Sequence, residues 1–313
     1  MIRPAGAGAV TRAGLLAGAL ALGGPVAAPG AFAQAIPSAD TAMLMATVRV
    51  LAADSMEGRK AGSPGGARAR AYLERRLVAL NIPPLGRTHL QNFALPRDGG
   101  VGANLLGVIR GTRFPGRYLV LSAHYDHIGV RGRQIYNGAD DNASGTAAVL
   151  ALAEAFRNDP LDHSVVVALL DAEEIGSPGA RAFLDSGLVP LDSIVLNVNL
   201  DMVGHSETNE LWAAGSGRTP MLRPVLDSVA RMAPVTLRLG HDRAGTAGEK
   251  DWTGSSDHRL FHRAGIPFIY FGVEDHKDYH RPTDDPETLT PVFFGKAVGT
   301  ILEAVRRLDK LKQ

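Results

Sequence analysis

The sequence contains no cysteine among its 313 residues, and aromatic residues make up only 6%. The absence of cysteine excludes disulfides, thiolate metal ligands and a lipid anchor on a leader cysteine. Neither sign of charge dominates, because 33 basic residues face 32 acidic ones, and no basic cluster is interleaved with aromatics. The sequence therefore gives no indication of a nucleic acid or another polyanion as partner.

Long apolar runs are also scarce, and the one near the start of the chain is short. Leu15 to Leu22 ends at a Gly-Gly-Pro, well below the ~20 apolar residues that a membrane-spanning helix needs. The run follows Arg3 and Arg12 and precedes the small-x-small motif Ala31-Phe32-Ala33, so residues 1–33 are predicted to be a secretory signal peptide. An uncleaved anchor is the alternative. We expect an exported protein, periplasmic or secreted, with no membrane span in the mature chain.

The rest of the chain has the composition of a globular protein. Hydrophobic residues make up 45% and charged residues 21% of the sequence, which suits one sizeable domain with a full core. Without the two leader arginines, the 33 basic residues fall to 31 against 32 acidic ones, a net charge of −1. We predict a single domain over 34–313, and the sequence leaves the oligomeric state open.

Apolar runs typical of strands alternate with helical patterns along this domain. The predicted helices cover 41–52 and 143–156 and begin at Ser63-Pro64, Thr219-Pro220 and Thr290-Pro291; the predicted strands are Ala103 to Arg110, Tyr118 to Ala123, Ser164 to Leu170, Ser193 to Leu200 and Pro267 to Phe271. Such alternation indicates a three-layer α/β/α sandwich with a mostly parallel central sheet.

Two stretches have the composition of turns and loops. GTRFPGR, residues 111–117, is predicted to be a turn between two strands. The Gly-rich stretch 240–256 is predicted to be either a mobile pocket wall, with Trp252 as a substrate contact, or a disordered surface loop.

The first candidate site follows a predicted strand. The apolar run Tyr118 to Ser122 leads directly to His124, Asp126 and His127. Functional residues of α/β proteins gather where strands end and loops begin. A His-x-Asp sequence is common by chance, so the rest of the chain must decide its meaning.

A Gly/Asn-rich loop then carries Asp140 and Asp141 into a predicted helix. One strand–loop–helix unit therefore presents an imidazole and a carboxylate together. An ordinary alternative is that Asp141 or Asn142 caps the helix through its side-chain oxygen.

Three later segments place acidic or imidazole groups in similar positions. Glu173 and Glu174 come just past a buried strand, Asp201 follows the next one, and His280 lies in a Pro-containing turn. In extended backbone Glu173 and Glu174 would point opposite ways, so that one could bind metal while the other faces substrate. Taken singly, each segment has an ordinary explanation: a solvated acidic pair, a turn aspartate and a surface histidine.

Taken together, these groups indicate a metal centre at one edge of the sheet. Imidazole and carboxylate ligands without thiolate suit zinc or another first-row divalent ion. Five ligands are too many for one catalytic ion with an open position, but they suit two ions ~3.5 to 4 Å apart with one bridging carboxylate. The candidate ligands are His124, Asp141, Glu174, Asp201 and His280.

At this point a resemblance to a known family becomes specific. The chain resembles the co-catalytic (dinuclear) zinc aminopeptidases of the aminopeptidase S and aminopeptidase Y type, clan MH, in five segments that occur in family order: SAHYDHIG, NGADDNASG, DAEEIGSPGA, NLDMVG and YHRPTDD. With DSMEGRKAGSPG near the start, the resemblance covers nearly the whole mature chain. It implies the phosphorylase/hydrolase-like zinc exopeptidase fold, two zinc ions, and peptide substrates with a free N-terminus. Residues 90–102 are too few for the protease-associated domain inserted in larger relatives.

The resemblance also implies a role for each ligand. Asp141 would bridge the two ions, with His124 and Asp201 completing the first position and Glu174 and His280 the second.

Further residues are carried over in the same way. Glu173 would be the general base acting on a metal-bridging water, Asp126 would orient His124, and Tyr279 would polarise the substrate carbonyl. The family also suggests a non-proline cis peptide bond after Asp141.

Three other readings stay open beside the aminopeptidase. A glutaminyl-peptide cyclase has a similar fold but holds one zinc, a carboxypeptidase or other amidohydrolase would cleave N-blocked substrates, and a non-catalytic binding domain would have lost ligands. Asp257 and His258 in SSDH resemble a family block near the pocket, but no role follows for them from the sequence.

Overall fold

The computed structural model describes residues 36–96, 100–243 and 250–311. Within these residues the α-helices are α1 Thr41–Leu51, α2 Pro64–Ala79, α3 Gly145–Asn158, α4 Pro178–Asp185, α5 Arg223–Ala230, α6 His258–Arg263 and α7 Pro291–Leu308. The β-strands are β1 Leu90–Ala94, β2 Val101–Ile109, β3 Phe114–His124, β4 Gly129–Arg131, β5 Gln134–Tyr136, β6 His163–Leu170, β7 Ile194–Leu200, β8 Glu210–Ala214, β9 Thr236–Leu239 and β10 Phe268–Gly272.

Eight of these strands form one mixed sheet in the order β1-β2-β6-β3-β7-β10-β8-β9. The central strands β6, β3, β7 and β10 are parallel to one another, and in their register Leu121 lies opposite Val167 on one side and Val198 on the other. The pairs β1–β2, β2–β6 and β10–β8 are antiparallel. This mostly parallel sheet confirms the predicted fold class.

Alternating side chains of the central strands pack against two helix layers, one on each face of the sheet. In β3, Leu119 and Leu121 pack in the core beneath α1, α2, α3, α5 and α7, whereas Val120 packs on the opposite face beneath α4 and α6. Such alternation is what strand geometry dictates, and burial on both faces explains why these strands are continuous apolar runs.

The helix starts follow the predicted capping signals. The Ser63 hydroxyl accepts a hydrogen bond from the Gly66 amide at 3.1 Å, and Pro64 is the first residue of α2. The last helix likewise begins at Pro291 and buries its apolar stripe, Val298, Ile301, Val305 and Leu308. The predicted helix at Thr219-Pro220 opens with a 3₁₀ turn before α5.

Two predictions about local structure were wrong or incomplete. The turn predicted for 111–117 is shorter, because β3 begins at Phe114 and shifts register before Tyr118. Strands β8 and β9 were not predicted, since both are short and only partly apolar in sequence.

Part of the predicted loop 240–256 has defined structure. Trp252 is buried in a short 3₁₀ turn and stacks on His241 with ring centroids 3.9 Å apart, whereas residues 244–249 lie outside the described part of the chain. The predicted signal peptide 1–33 also lies outside it, and the division of the chain into domains stays a prediction. No helix among the described residues is long and apolar enough to cross a membrane.

Candidate metal centre

The first cluster of predicted ligands sits at the carboxyl ends of neighbouring parallel strands. His124 is the last residue of β3, and Asp201 directly follows β7. His124 Nε2 lies 3.2 Å from Asp201 Oδ1 and 3.5 Å from Asp141 Oδ1. All three residues are buried, and their ligand atoms are close enough to share one ion.

The second cluster lies on the other side of the same aspartate. His280 Nε2 is 3.0 Å from Asp141 Oδ2 and 3.5 Å from Glu174 Oε2. The two oxygens of Asp141 therefore face two different imidazoles, one in each cluster. A carboxylate in this orientation can bridge two cations.

His127 competes for this second position. Its Nδ1 lies 2.7 Å from Glu174 Oε1 and 3.7 Å from Asp141 Oδ2, and these three residues also form a group that could hold an ion. Neither His127 Nδ1 nor Glu174 Oε1 has an aligned hydrogen-bond partner among the described residues. Burial lowers the pKa of His127 to about 3, so the ring is neutral and can offer a lone pair. The sequence placed His127 at a strand end but gave it no role.

The backbone before α3 turns Asp141 towards the centre and Asp140 away from it. Asp140 Oδ1 accepts a hydrogen bond from the Gly204 amide at 2.7 Å, and its Oδ2 is 3.2 Å from His276. The buried Asp284 carboxylate accepts hydrogen bonds from the amides of Asp140 (2.9 Å) and Asp141 (3.0 Å). The choice of Asp141 over Asp140 as candidate ligand therefore has a geometric basis.

Asn142, and not Asp141, makes the side-chain contact with the start of α3, whose N-cap residue is Ser144. Its Oδ1 accepts a hydrogen bond from the Gly145 amide at 2.8 Å, and its Nδ2 donates to the Leu200 carbonyl at 2.9 Å. The peptide bond between Asp141 and Asn142 is cis, as the family resemblance suggested. Asp141 is thus left free of any capping contact.

Glu173 and Glu174 do not have the extended backbone that we expected. They form a short 3₁₀ turn after Ala172, whose φ is 67°, yet both still line the same cavity. Asp126 holds this turn, because its Oδ1 accepts a hydrogen bond from the Glu173 amide at 3.0 Å and its Oδ2 one from the Glu174 amide at 3.4 Å.

Asp126 also contacts His124, mainly through its backbone. His124 Nδ1 lies 3.2 Å from the Asp126 carbonyl oxygen and 3.6 Å from the Asp126 carboxylate. The Asp126 side chain therefore connects the turn that follows β6 with the loop that follows β3. This contact is an additional role, beside the predicted orientation of His124.

The carboxylates of the site carry negative charge that a bound cation would offset. Burial raises the pKa of Glu173 well above its usual range; the positive charge of His124 opposes the shift, and the nearby carboxylates of Asp257 and Asp201 add to it. Burial likewise raises the pKa of Glu174. Among the described residues, every ion-pair contact of the three candidate carboxylate ligands is to a histidine. No lysine or arginine in that part of the chain offsets this negative charge by direct contact.

The spacing of the donor atoms fits zinc. Ligands bound ~2.0 to 2.1 Å from a tetrahedral zinc are separated from one another by about 3.3 Å. The two imidazoles His124 and His280 lie 3.0 to 3.5 Å from their carboxylate partners. The residues present therefore fit a zinc site, and Asp141 belongs to both groups of candidate ligands.

A cavity of about 350 Å³ opens onto this centre. Its walls include Trp252, Tyr270 and Tyr279, and the Tyr279 ring stacks on His280 with centroids 4.0 Å apart. Trp252 lies at the cavity, as its predicted role as a substrate contact requires.

The remaining predicted pair lies beneath this wall. Asp257 is buried, which raises its pKa to about 6, and neither of its oxygens has an aligned hydrogen-bond partner in the described chain. His258 Nε2 is 2.8 Å from the Trp252 carbonyl oxygen, and its ring packs on Tyr270. His258 therefore supports the aromatic wall and does not reach the ligand cluster through these contacts.

The fold and site define a class: an α/β/α domain with a carboxylate–imidazole centre at the carboxyl ends of its parallel strands. The chain belongs to peptidase family M28, whose sequence model matches residues 104–305. The family match confirms the resemblance seen in the sequence.

Individual relatives agree with this membership. Aminopeptidase YwaD of Bacillus subtilis is 30% identical over 61% of this chain and 42% of its own length, and a probable glutamate carboxypeptidase of Zea mays, VP8, is 30% identical over 58% and 26%. The chain thus spans less than half the length of these curated relatives. The structure of BSAP, a zinc aminopeptidase from Bacillus subtilis, superposes with a TM-score of 0.70 at 18% identity, covering 89% of this chain and 98% of BSAP. This likeness shows the shared fold.

Proposed function

We propose that this chain is a zinc-dependent aminopeptidase that hydrolyses the N-terminal peptide bond of peptides. The observation that carries the proposal is the orientation of Asp141, whose two oxygens face His124 and His280 separately. This orientation fits a centre with two ions, because each oxygen could bind a different ion. A cyclase with one zinc would not require a carboxylate that faces two ligand groups.

The first ion would be held by His124, Asp141 and Asp201, and the second by Asp141, Glu174 and His280. For the second position we choose His280 over His127, because its distances to both carboxylates, 3.0 and 3.5 Å, match ligands around a common ion. His127 lies 2.7 Å from the other oxygen of Glu174, which is closer than the about 3.3 Å that separates two ligands of one tetrahedral zinc.

When bound, two zinc ions would acidify an attacking water towards a pKa of ~7 and polarise the substrate carbonyl. Glu173 would accept a proton from that water and then deliver it to the leaving amine, which requires a reach of about 3 Å. Burial raises the pKa of Glu173, and two bound cations would lower it again, which would leave its carboxylate ionised and able to accept that proton. Tyr279, at the cavity wall, would stabilise the oxyanion through its hydroxyl.

The substrate's free α-amine would bind beside one of the ions, near the cavity carboxylates that are not proposed as ligands, Glu173 and Asp275. A free amine could form hydrogen bonds or an ion pair with these carboxylates, whereas N-acetylation would remove its charge and place a bulky amide against them. This contrast supports exopeptidase action. Export through the leader at residues 1–33 would place the enzyme in the periplasm or outside the cell.

The test combines a metal count with substrate discrimination. Zinc per chain is measured in the purified protein, together with amine release from unblocked and N-acetylated aminoacyl substrates. We expect two zinc ions per chain and cleavage of the unblocked form alone. One zinc per chain, or equal cleavage of the acetylated form, would contradict the proposal and favour a cyclase or another amidohydrolase.

A further inference from the structure

Arg59 is a fully buried arginine, and its side-chain hydrogen bonds within the described residues all go to backbone carbonyls. Its Nε donates to the Tyr125 carbonyl at 2.8 Å, Nη1 to the Leu51 carbonyl at 2.8 Å and to the Asn137 carbonyl, and Nη2 to the Gly138 carbonyl at 2.8 Å. Arg59 belongs to the segment DSMEGRKAGSPG, which precedes the residues 104–305 that match the family model. No part of the proposed mechanism uses it.

Two of these contacts reach the segments that carry the candidate ligands. Tyr125 directly follows His124, and Gly138 lies three residues before Asp141. A single guanidinium therefore joins the loop after β3 to the loop before α3. The ligand atoms that these two loops carry, His124 Nε2 and Asp141 Oδ1, lie 3.5 Å apart.

The backbone that delivers Arg59 is built for this close approach. Glu57, Gly58 and Arg59 all have left-handed φ angles, of 50°, 63° and 51°. A Cβ at Gly58 would lie 2.3 Å from the Tyr136 carbonyl oxygen, so only glycine fits there. The turn Asp54–Arg59 is thus pressed against the same segment that its last side chain binds.

The chemistry of the side chain explains why arginine occupies this position. Its planar fork of five N–H donors can satisfy four carbonyls at once, whereas a lysine ammonium offers three donors at a single point. Burial lowers its pKa to about 10, and the charges of Asp141 and Asp284 oppose that shift, so the group stays cationic at neutral pH. Its charge interacts with the carboxylates of the site at a distance, and no direct ion pair joins it to any of them in the described part of the chain.

We propose that Arg59 is a positioning residue of the metal centre: it locks the His124 loop and the Asp141 loop at the spacing that binding of the first ion requires. This inference rests on the proposed zinc centre. It gives a role to the turn Asp54–Arg59, to which the resemblance assigns none.

The test compares Arg59→Ala and Arg59→Lys with the control Arg68→Ala. Arg68 belongs to the same region, where it pairs with Glu57 at 2.8 Å and donates to the Ser55 carbonyl at 2.6 Å, but it contacts neither ligand loop in these interactions. Zinc affinity is measured by competition with a chelator, the ligand field by the visible spectrum of the cobalt(II)-substituted protein, and folding by thermal unfolding of the metal-free protein.

We expect zinc affinity to fall by about 10- to 100-fold in both Arg59 variants, because removal of a residue that supports metal ligands typically has an effect of this size. The cobalt spectrum of both variants should also change. Arg68→Ala should keep the wild-type affinity and spectrum. Millimolar guanidinium should restore zinc binding to Arg59→Ala, whereas urea, which has a similar shape but no charge, should restore less.

Wild-type zinc affinity in both Arg59 variants, with only a lower unfolding temperature, would overturn the inference and leave Arg59 a purely structural residue. If Arg59→Ala does not fold, the affinity and spectrum of Arg59→Lys decide the matter alone. A wild-type protein that binds no zinc would overturn the proposed function as well, so the two failures are distinguishable.

Discussion

The two halves of the candidate metal centre are built on different kinds of structure. His124 and Asp201 stand at the ends of β3 and β7, which pair in the middle of the sheet, and their side chains are only 2% and 9% exposed. Glu174 lies in a short 3₁₀ turn, and His280 lies in a turn eight residues past β10 with 40% of its side chain exposed.

This difference predicts two ion positions of unequal strength. Ligands on packed strands are already held in their binding geometry, whereas ligands on exposed turns must be ordered when the ion binds. The buried half should therefore bind its ion tightly, and the half that contains His280 should exchange its ion with solvent. Asp141, which belongs to both groups of candidate ligands, would couple the two positions.

The largest effect should come from breaking that coupling. Asp141→Ala removes a ligand from both positions at once, so we expect loss of both ions and of measurable aminopeptidase activity. Metal analysis after dialysis and an activity assay check this prediction. Full metal occupancy in the variant would show that Asp141 is not the bridge.

The neighbouring Asp140→Asn is the matched control. Asp140 faces Gly204 and His276 and not the ligand cluster, so this variant should retain two ions while its unfolding temperature falls. Loss of metal in Asp140→Asn equal to that in Asp141→Ala would mean that the buried network, not the bridge, controls binding.

The next largest effect concerns chemistry without metal loss. Glu173→Gln keeps the shape of the side chain but removes the proton acceptor, so turnover should fall by about 10²- to 10⁴-fold while both ions remain. Steady-state kinetics and metal analysis of the same preparation test this. The exposed Glu287→Gln serves as control, and a near-wild-type rate in Glu173→Gln would remove Glu173 from the role of base.

Sequence reasoning succeeded where local rules decide the structure. The strands β3, β6 and β7 are apolar because the sheet buries both of their faces, and the helix starts at Ser63-Pro64 and Pro291 follow from capping and proline geometry. The same rules missed β8, whose five residues join the sheet through pairing with β10 and β9 and not through their own pattern.

Within the site, the positions of these residues at strand ends predicted which side chains lie close together. They did not predict which atoms of those side chains are in contact. The 3₁₀ turn at Glu173 depends on the Asp126 carboxylate, 47 residues earlier in the chain, which accepts its amide hydrogen. Asp284 supports Asp141 across 143 residues, and Arg59 reaches Gly138 across 79. Such contacts are set by tertiary packing, and no periodicity in the sequence encodes them.

A third experiment sharpens the contrast between the two halves. His280→Ala should lose one ion and keep the other, whereas His124→Ala should lose the tightly bound ion. In the wild-type protein, a slow titration with chelator should remove the ions in two steps, with the first step absent in His280→Ala. Simultaneous release of both ions in a single step would show that the exposed and buried positions are equivalent.

The smallest effect distinguishes the two imidazoles near Glu174. His127 lies 2.7 Å from Glu174 Oε1, while His280 lies 3.5 Å from Glu174 Oε2, so each ring contacts a different oxygen of one carboxylate. If His280 is the ligand and His127 only orients Glu174, then His127→Ala should keep two ions and weaken the exchangeable one by about tenfold. His280→Ala should lose that ion altogether. The reverse order in a zinc competition titration would make the buried His127 the ligand, and the exchangeable half of the centre would then be as enclosed as the other.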